Sequence, residues 1–400
     1  MNILKSGLIY IKTIIFFFFD STAYLKNTIS KKTTLKTVLL IRQDSIGDFI
    51  IWLDTAKEYR KLFPSEKYKI VLIGNSLWLS LANSLPYWDT VIAIDSNKFK
   101  TISLYRWNML NKIRYIGAEI AIQPTFSREF FHGDSLIRAS RALQKVSSEG
   151  DLSNLNKFKK LLADKWHTKL IPASKEHLNE FERNTEFFSQ LSGKRHFPIY
   201  PKLDLTEYHS SKEPPDSIFY IIGPGTSSLL KDWSTNNFAK ITEKIYLNTG
   251  WNGLICGSTK DYILGEQIIK KSNAPLKNLA GKTNLHELSL LLRQSKLTVC
   301  NDTGTAHISS AVNTPTLCIL GGGHFGRFLP YPNLKDDNKY LEVIFHEMDC
   351  FYCNWECIYP INDGDPAPCI ANISVDDVWS KVNTLLQKEI SSNLLPNNSP

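Results

Sequence analysis

Leu297-Thr298-Val299-Cys300-Asn301-Asp302-Thr303-Gly304-Thr305-Ala306-His307 is the stretch whose reading decides the fold. Leu297 to Cys300 form a short apolar run of the kind found in strands buried on both faces. Asn301 and Asp302 close that run, and a helix opens at once and continues through Ser310. A helix begun in this way leaves the N–H groups around Thr303, Gly304 and Thr305 without intrahelical partners, and they carry about half a positive charge. An anion fits there, and His307 stands within the first turn to donate to it. The same residues also read as an ordinary N-cap, Asp302, and an ordinary helix-surface histidine.

A similar start lies upstream. The run SIFYIIGPG (217–225) leads through Gly223-Pro224-Gly225-Thr226-Ser227-Ser228 to Lys231-Asp232-Trp233, with a helix from about Thr235. Glycines after a strand let backbone N–H groups turn toward an anion; Thr226 and Ser227 add hydroxyls and Lys231 a point charge. The loop is neither a GxGxxG fingerprint nor a Walker A motif. Two anion-ready helix starts in one domain, both at strand ends, point to diphosphate binding.

Outward from these motifs the pattern repeats. KTVLLIRQ (36–43), YKIVLIGN (68–75), DTVIAID (89–95) and AEIAIQP (118–124) alternate with segments of helical period, as do SIFYIIGPG, NGLICGS (252–258), LTVCND and TPTLCILGG (314–322). This βαβα rhythm calls for parallel sheets covered by helices on both sides, in an α/β protein. It lapses between about Leu203 and Ser217, where Pro214-Pro215 sits in a polar stretch. The reading is therefore an N-terminal domain over 37–205 and a C-terminal domain over 216–375. A helix over 376–390 is expected to cross back to the first domain. Strand C-terminal ends facing one cleft are where open α/β sheets bind ligands.

The first strand ends in Arg42-Gln43-Asp44-Ser45-Ile46-Gly47-Asp48, a turn with one glycine and two carboxylates that leads into a helix. Gly47 permits close approach, and Asp48 lies in the first helical turn. Either carboxylate also reads as a simple cap.

Taken together, Arg-x-Asp-x-Ile-Gly-Asp, Gly-Pro-Gly-Thr…Lys-Asp-Trp, Asn-Asp-Thr-Gly-x-x-His, Leu279-Ala280-Gly281-Lys282-Thr283 and Pro315 before TLCIL resemble glycosyltransferase family 9, the ADP-heptose:lipopolysaccharide heptosyltransferases. The motifs occur in the family's order over roughly residues 37–385. The resemblance implies a GT-B fold of two Rossmann-like, doubly wound domains facing a central cleft. It implies an inverting transferase without a catalytic cofactor or metal. The donor would be a nucleotide-diphosphate sugar, with ADP and heptose favoured, and the acceptor a lipopolysaccharide or related lipid-linked surface glycan. Carried over, Asp48 is the base; Thr226, Ser227, Lys231, Thr303 and Gly304 hold the diphosphate; Asp302 and His307 complete the donor site. Asp261 is placed to bond a ribose hydroxyl. Asp44, Gly47 and Arg128 fall on the acceptor side. Ser127 to His132 departs from the family pattern and bears on the acceptor. A non-catalytic glycan-binding or assembly protein on a degenerate GT-B fold is the alternative. A Rossmann epimerase or dehydrogenase would need a GxGxxG after the first strand, and Asp44 to Asp48 does not supply one.

Seven cysteines do not suit a fully disulfide-bonded secreted chain. Cys256, Cys300 and Cys318 lie in apolar runs and read as small core residues. Cys350, Cys353, Cys357 and Cys369 are spaced for a structural zinc or iron site, with two disulfides or free thiols as rivals. The net charge is +8, but residues 1–37 hold six Lys against one Asp, so only +3 belongs to the remaining chain. A nearly neutral body speaks against a nucleic-acid partner, which would want a basic stripe on the body itself. The N-terminal arm, 1–36, carries an apolar run from Leu8 to Phe19 that is short for a membrane crossing. It reads as an interfacial helix with Lys26, Lys31, Lys32 and Lys36 on anionic lipid, which places the chain in the cytoplasm at the inner membrane. A signal peptide and a core-packed leader are the competing readings.

Overall fold

The computed structural model describes residues 3–25, 35–205, 217–334 and 340–394, with side chains described from 10 to 388 within them. Among the described residues, twelve strands form two six-stranded sheets in which every pairing is parallel. The first holds β1 (Lys36–Ile41), β2 (Tyr68–Asn75), β3 (Thr90–Ile94), β4 (Ile120–Gln123), β5 (Gln144–Ser148) and β6 (Lys169–Ile171), in the order β3-β2-β1-β4-β5-β6. The second holds β7 (Phe219–Gly223), β8 (Asn252–Ile255), β9 (Leu276–Asn278), β10 (Thr298–Asn301), β11 (Thr316–Ile319) and β12 (Leu341–Ile344), in the order β12-β11-β10-β7-β8-β9. Each order is the doubly wound one, reversing direction beside the first strand of its sheet. Central strands are buried along almost their whole length, which is why they read as continuous apolar runs.

Helices start and stop where side chains supply the missing partners. Ser103 accepts from the Arg106 N–H to begin Leu104–Ile116, and Gly117 ends it at φ 64°. Ser234 and Gly250 do the same for Thr235–Thr249. Asn284 and Glu287 form a capping box before Leu285–Gln294.

The chain forms two compact units whose borders differ from the linker-based reading. The first comprises Met1–Ser45, Asp54–Glu176 and Phe181–Pro198; the second takes in Ile46–Leu53 and His177–Glu180 and runs from Ile199. Most of the expected linker between about Leu203 and Ser217 lies outside the described residues, which omit 206–216. The helix Val375–Leu394 groups with the second unit. Its Val378, Val382, Leu385 and Leu386 join that unit's core because its apolar stripe packs on Thr235–Thr249 and β12.

The arm is also more than a leader. Helix α1 (Ile3–Tyr24) packs on Leu104–Ile116 in the first unit. Thr13, Phe16, Asp20 and Ala23 are buried, at the spacing of one helix face. Asp20 accepts from Arg106 Nε at 2.7 Å and Nη2 at 2.6 Å. Arg106 also donates to the carbonyls of Phe99 and Phe131 and to Ser135 Oγ, so this fully buried guanidinium is saturated. The opposite face of α1 leaves Ile11, Ile14, Ile15 and Phe18 exposed, the last by 65%. No helix among the described residues is long and apolar enough to cross a membrane. Lys26, Lys31 and Lys32 lie outside the described residues.

Candidate active site

In the second unit the ends of β7 and β10 meet. Asn301 Nδ2 donates to the Pro224 carbonyl at 2.7 Å, and its Oδ1 accepts from the Trp233 N–H at 3.4 Å. That side chain ties the Gly223–Trp233 loop to the start of the helix Gly304–Ala311. Lys231 Nζ lies 2.9 Å from Asp302 Oδ2, and the two side chains are 13% and 14% exposed. Thr303 occupies the N-cap position of Gly304–Ala311 in extended conformation, and no side chain among the described residues caps it. The first amides of that helix therefore retain their pull on an anion. Asp302, an N-cap candidate from sequence, is the ion-pair partner of Lys231 instead.

Other expected donor residues are engaged differently. The Thr226 hydroxyl bonds to Asp232 and to the Ser228 carbonyl, so it is held by its own loop. Ser227 is exposed, while Ser228 caps the short turn Leu229–Lys231. Asp261 accepts from the Ser258 N–H at 2.6 Å and hydroxyl at 2.8 Å as part of a capping box. Its carboxylate lies hard against Gly225, where a Cβ would collide with it.

Helix α2 (Ile46–Ala56) brings Asp48 to this unit, since Ile46–Leu53 groups with it. A Cβ on Gly47 would come 2.8 Å from His307 Cδ2, and one on Gly304 would come 2.7 Å from Ile46 Cγ2. The two helix starts touch through their glycines. His307 is buried with Nδ1 2.7 Å from the Tyr331 hydroxyl. Burial pushes its pKa down, against the opposing pull of the Asp302 and Asp48 carboxylates.

The acceptor-side candidates Asp44 and Arg128 lie in the first unit. Asp44 pairs with the buried Arg42 at 2.5 Å and accepts from the Thr125 hydroxyl at 3.1 Å. It lines a shallow, open recess with Gln43, Gln123, Thr125, Glu129 and His132. Gln43 Oε1 and Gln123 Oε1 are buried there without a partner among the described residues. Arg128, by contrast, is fully buried against Asp134 and Asp164. Its guanidinium braces the departing segment Ser127–His132 from within.

The four thiols expected to hold a structural metal are within electrostatic reach of one another. Burial pushes Cys369 up, and Cys350, Cys353 and Cys357 push it further. Yet among the described residues no three His, Cys, Asp or Glu side chains converge closely enough to hold a metal. As arranged, the set does not make a closed cage.

A profile of glycosyltransferase family 9 (heptosyltransferase) matches residues 161–351, which include Lys231, Asp302 and His307. The chain is similar to lipooligosaccharide heptosyltransferase 2 of Haemophilus influenzae, 37% identical over 95 residues, or 23% of this chain and 27% of the relative. The match thus spans about a quarter of the length of that curated relative. The solved structure of E. coli ADP-heptose lps heptosyltransferase II superposes with a TM-score of 0.63 at 16% identity, covering 88% of this chain and 99% of that one. The iron-containing dodecameric glycosyltransferase TibC of enterotoxigenic E. coli gives 0.52 at 13% identity, covering 90% and 78%. The fold is GT-B, with two Rossmann-like domains.

Asn301 and Tyr331 were not singled out from sequence. Asn301 had a signal, a polar residue closing a buried strand. Tyr331 had none, because it reaches His307 from 24 positions away.

Proposed function

We propose that the chain is an inverting, metal-independent glycosyltransferase that moves heptose from an ADP donor onto a lipopolysaccharide or related surface glycan. The observation that carries this reading is the meeting of Lys231–Asp302, the uncapped helix at Gly304 and the Asp48 turn against His307. In this reading the Asp48 carboxylate takes the proton of the acceptor hydroxyl as that oxygen attacks the anomeric carbon. The bond to the diphosphate oxygen breaks with its electron pair, and the growing negative charge falls on Lys231 and the amides at Thr303 and Gly304. One displacement inverts the carbon. Thr226, Ser227, Asp261, Asp302 and His307 shape the rest of the donor site. Asp44 and Gly47 serve the acceptor side, while Arg128 supports it from the core.

Two further parts belong to the proposal. The first is peripheral attachment to the cytoplasmic face of the inner membrane. Ile11, Ile14, Ile15 and Phe18 form an exposed stripe, which Tyr10 continues, 5.1 Å from Phe158, to the exposed Phe158 and Leu161 beside Lys157 and Lys165. The second is a structural zinc or iron at Cys350, Cys353, Cys357 and Cys369. Their spacing and mutual reach support it, as does the iron that the TibC glycosyltransferase contains. Binding would draw the thiols closer than they stand.

One experiment tests the reading. Full-length reduced protein, assayed for bound zinc and iron, is given ADP-heptose and an acceptor glycolipid in anionic vesicles. Asp48→Ala should lose roughly 10²–10⁴-fold in kcat while staying vesicle-bound. Ile14→Ser with Phe18→Ser should lose vesicle binding and keep turnover on a soluble acceptor. Donor binding by wild type without turnover would favour the non-catalytic alternative, and full activity of Asp48→Ala would remove the base.

A further inference from the structure

The loop that carries three of the four cysteines folds back over the end of β11. Tyr352 and Asn354 donate their N–H groups to the carbonyls of Gly322 and Gly323, both at 2.9 Å, and the His324 ring lies 2.7 Å from Asn354 Oδ1. Only glycine fits beneath it, since a Cβ at Gly322 or Gly323 would strike the rings of Phe351 or Trp355. Tyr352, Asn354 and Trp355 take φ of 69°, 52° and 64°, a left-handed conformation that bulky L-residues such as Tyr and Trp seldom adopt. Such outliers persist where the surroundings over-determine them. What this turn delivers is the Trp355 ring, with Lys231 Nζ 4.8 Å from its centroid.

We propose that Trp355 is a positioning residue, presented by the four-cysteine loop, which holds the Lys231 ammonium where it meets the donor diphosphate. This rests on the reading of Lys231 as a diphosphate ligand. A lysine on a four-carbon stem has many rotamers to lose, and Asp302 alone would pull its ammonium toward a carboxylate that competes with phosphate. A ring face attracts the same cation without a charge that phosphate must displace. The loop, far from the donor site in sequence, is thereby part of it.

The test is calorimetric titration of ADP and of adenosine into the full-length protein. Trp355→Leu should weaken ADP roughly 3- to 30-fold, the span of a cation–π contact, and leave adenosine nearly unchanged. Trp355→Phe, which keeps a ring, should recover most of that loss at a wild-type melting temperature. In a Lys231→Ala background Trp355→Leu should add nothing. Equal losses for ADP and adenosine, a Phe variant as weak as Leu, or a full effect without Lys231 would each overturn the positioning role. So would normal ADP binding by Trp355→Leu beside a weakened Lys231→Ala. Normal ADP binding by Lys231→Ala removes the diphosphate reading itself, and this proposal with it.

Discussion

The two units share a strand order but hold their polar interiors differently. The first buries charge: Asp20, Arg42, Arg106 and Arg128 are almost without solvent contact. The second buries mainly hydroxyls and amides. Thr316 donates to Ser309 at 2.7 Å and Ser309 to Thr298 at 2.9 Å across β10 and β11, while Asn301 bridges two loops. Its Lys231–Asp302 pair keeps some exposure. One topology thus tolerates two polar cores. In the first, ions are consumed inside the fold. In the second, neutral groups carry the fold and leave the cation at the rim for a ligand.

Arg106→Ala should break this comparison most sharply. It strands Asp20 in the interior, and losing one partner of a buried pair costs about 3–5 kcal/mol. Urea denaturation should show that loss together with exposure of α1; a change near zero would mean that the pair is not structural. Ser309→Ala, its counterpart in the second unit, removes two hydroxyl contacts and should cost about 1–3 kcal/mol in the same measurement. A loss as large as that of Arg106→Ala would erase the difference between the units.

A third test sharpens the comparison through pH. Burial holds His132 and His167 down to about 4, from 6.5, so the unfolded chain takes up their protons first. Stability falls as pH drops from 6.5 to 4. Asp134 acts oppositely: burial pushes it up to about 7 from 3.8, so the folded state binds its proton first and loses that contribution as pH rises through 7. Asp134→Asn should therefore steepen the acid loss by about 1.4 kcal/mol per pH unit between 6.5 and 4. An unchanged slope in melts across that window would show that Asp134 does not oppose the histidines.

The second unit's site was legible because it is built from backbone. Strand, glycine turn and helix start are local features, so Gly223 to Lys231 and Asp302 to His307 announced themselves within a few residues. The engagement of Thr226 by Asp232 was not legible, since the hydroxyl's partner depends on loop geometry. Arg128 was read as facing an acceptor because no local pattern shows that Asp164, 36 residues on, will bury it. The arm misled in a different way. Its apolar run was visible, but Asp20 looked like a lone acid until the fold set Arg106 beside it, 86 positions away.

By itself the sequence determined both parallel sheets and the two helix starts of the second unit. Hydrophobic period, glycine placement and unpaired amides act over one or two turns of chain, and they need no distant partner. Only the tertiary structure decided which charges are buried in pairs, that α1 and Val375–Leu394 pack into the first and second units respectively, and that Trp355 stands beside Lys231. Those outcomes depend on side chains far apart in sequence, whose desolvation is offset only once the whole unit has closed around them.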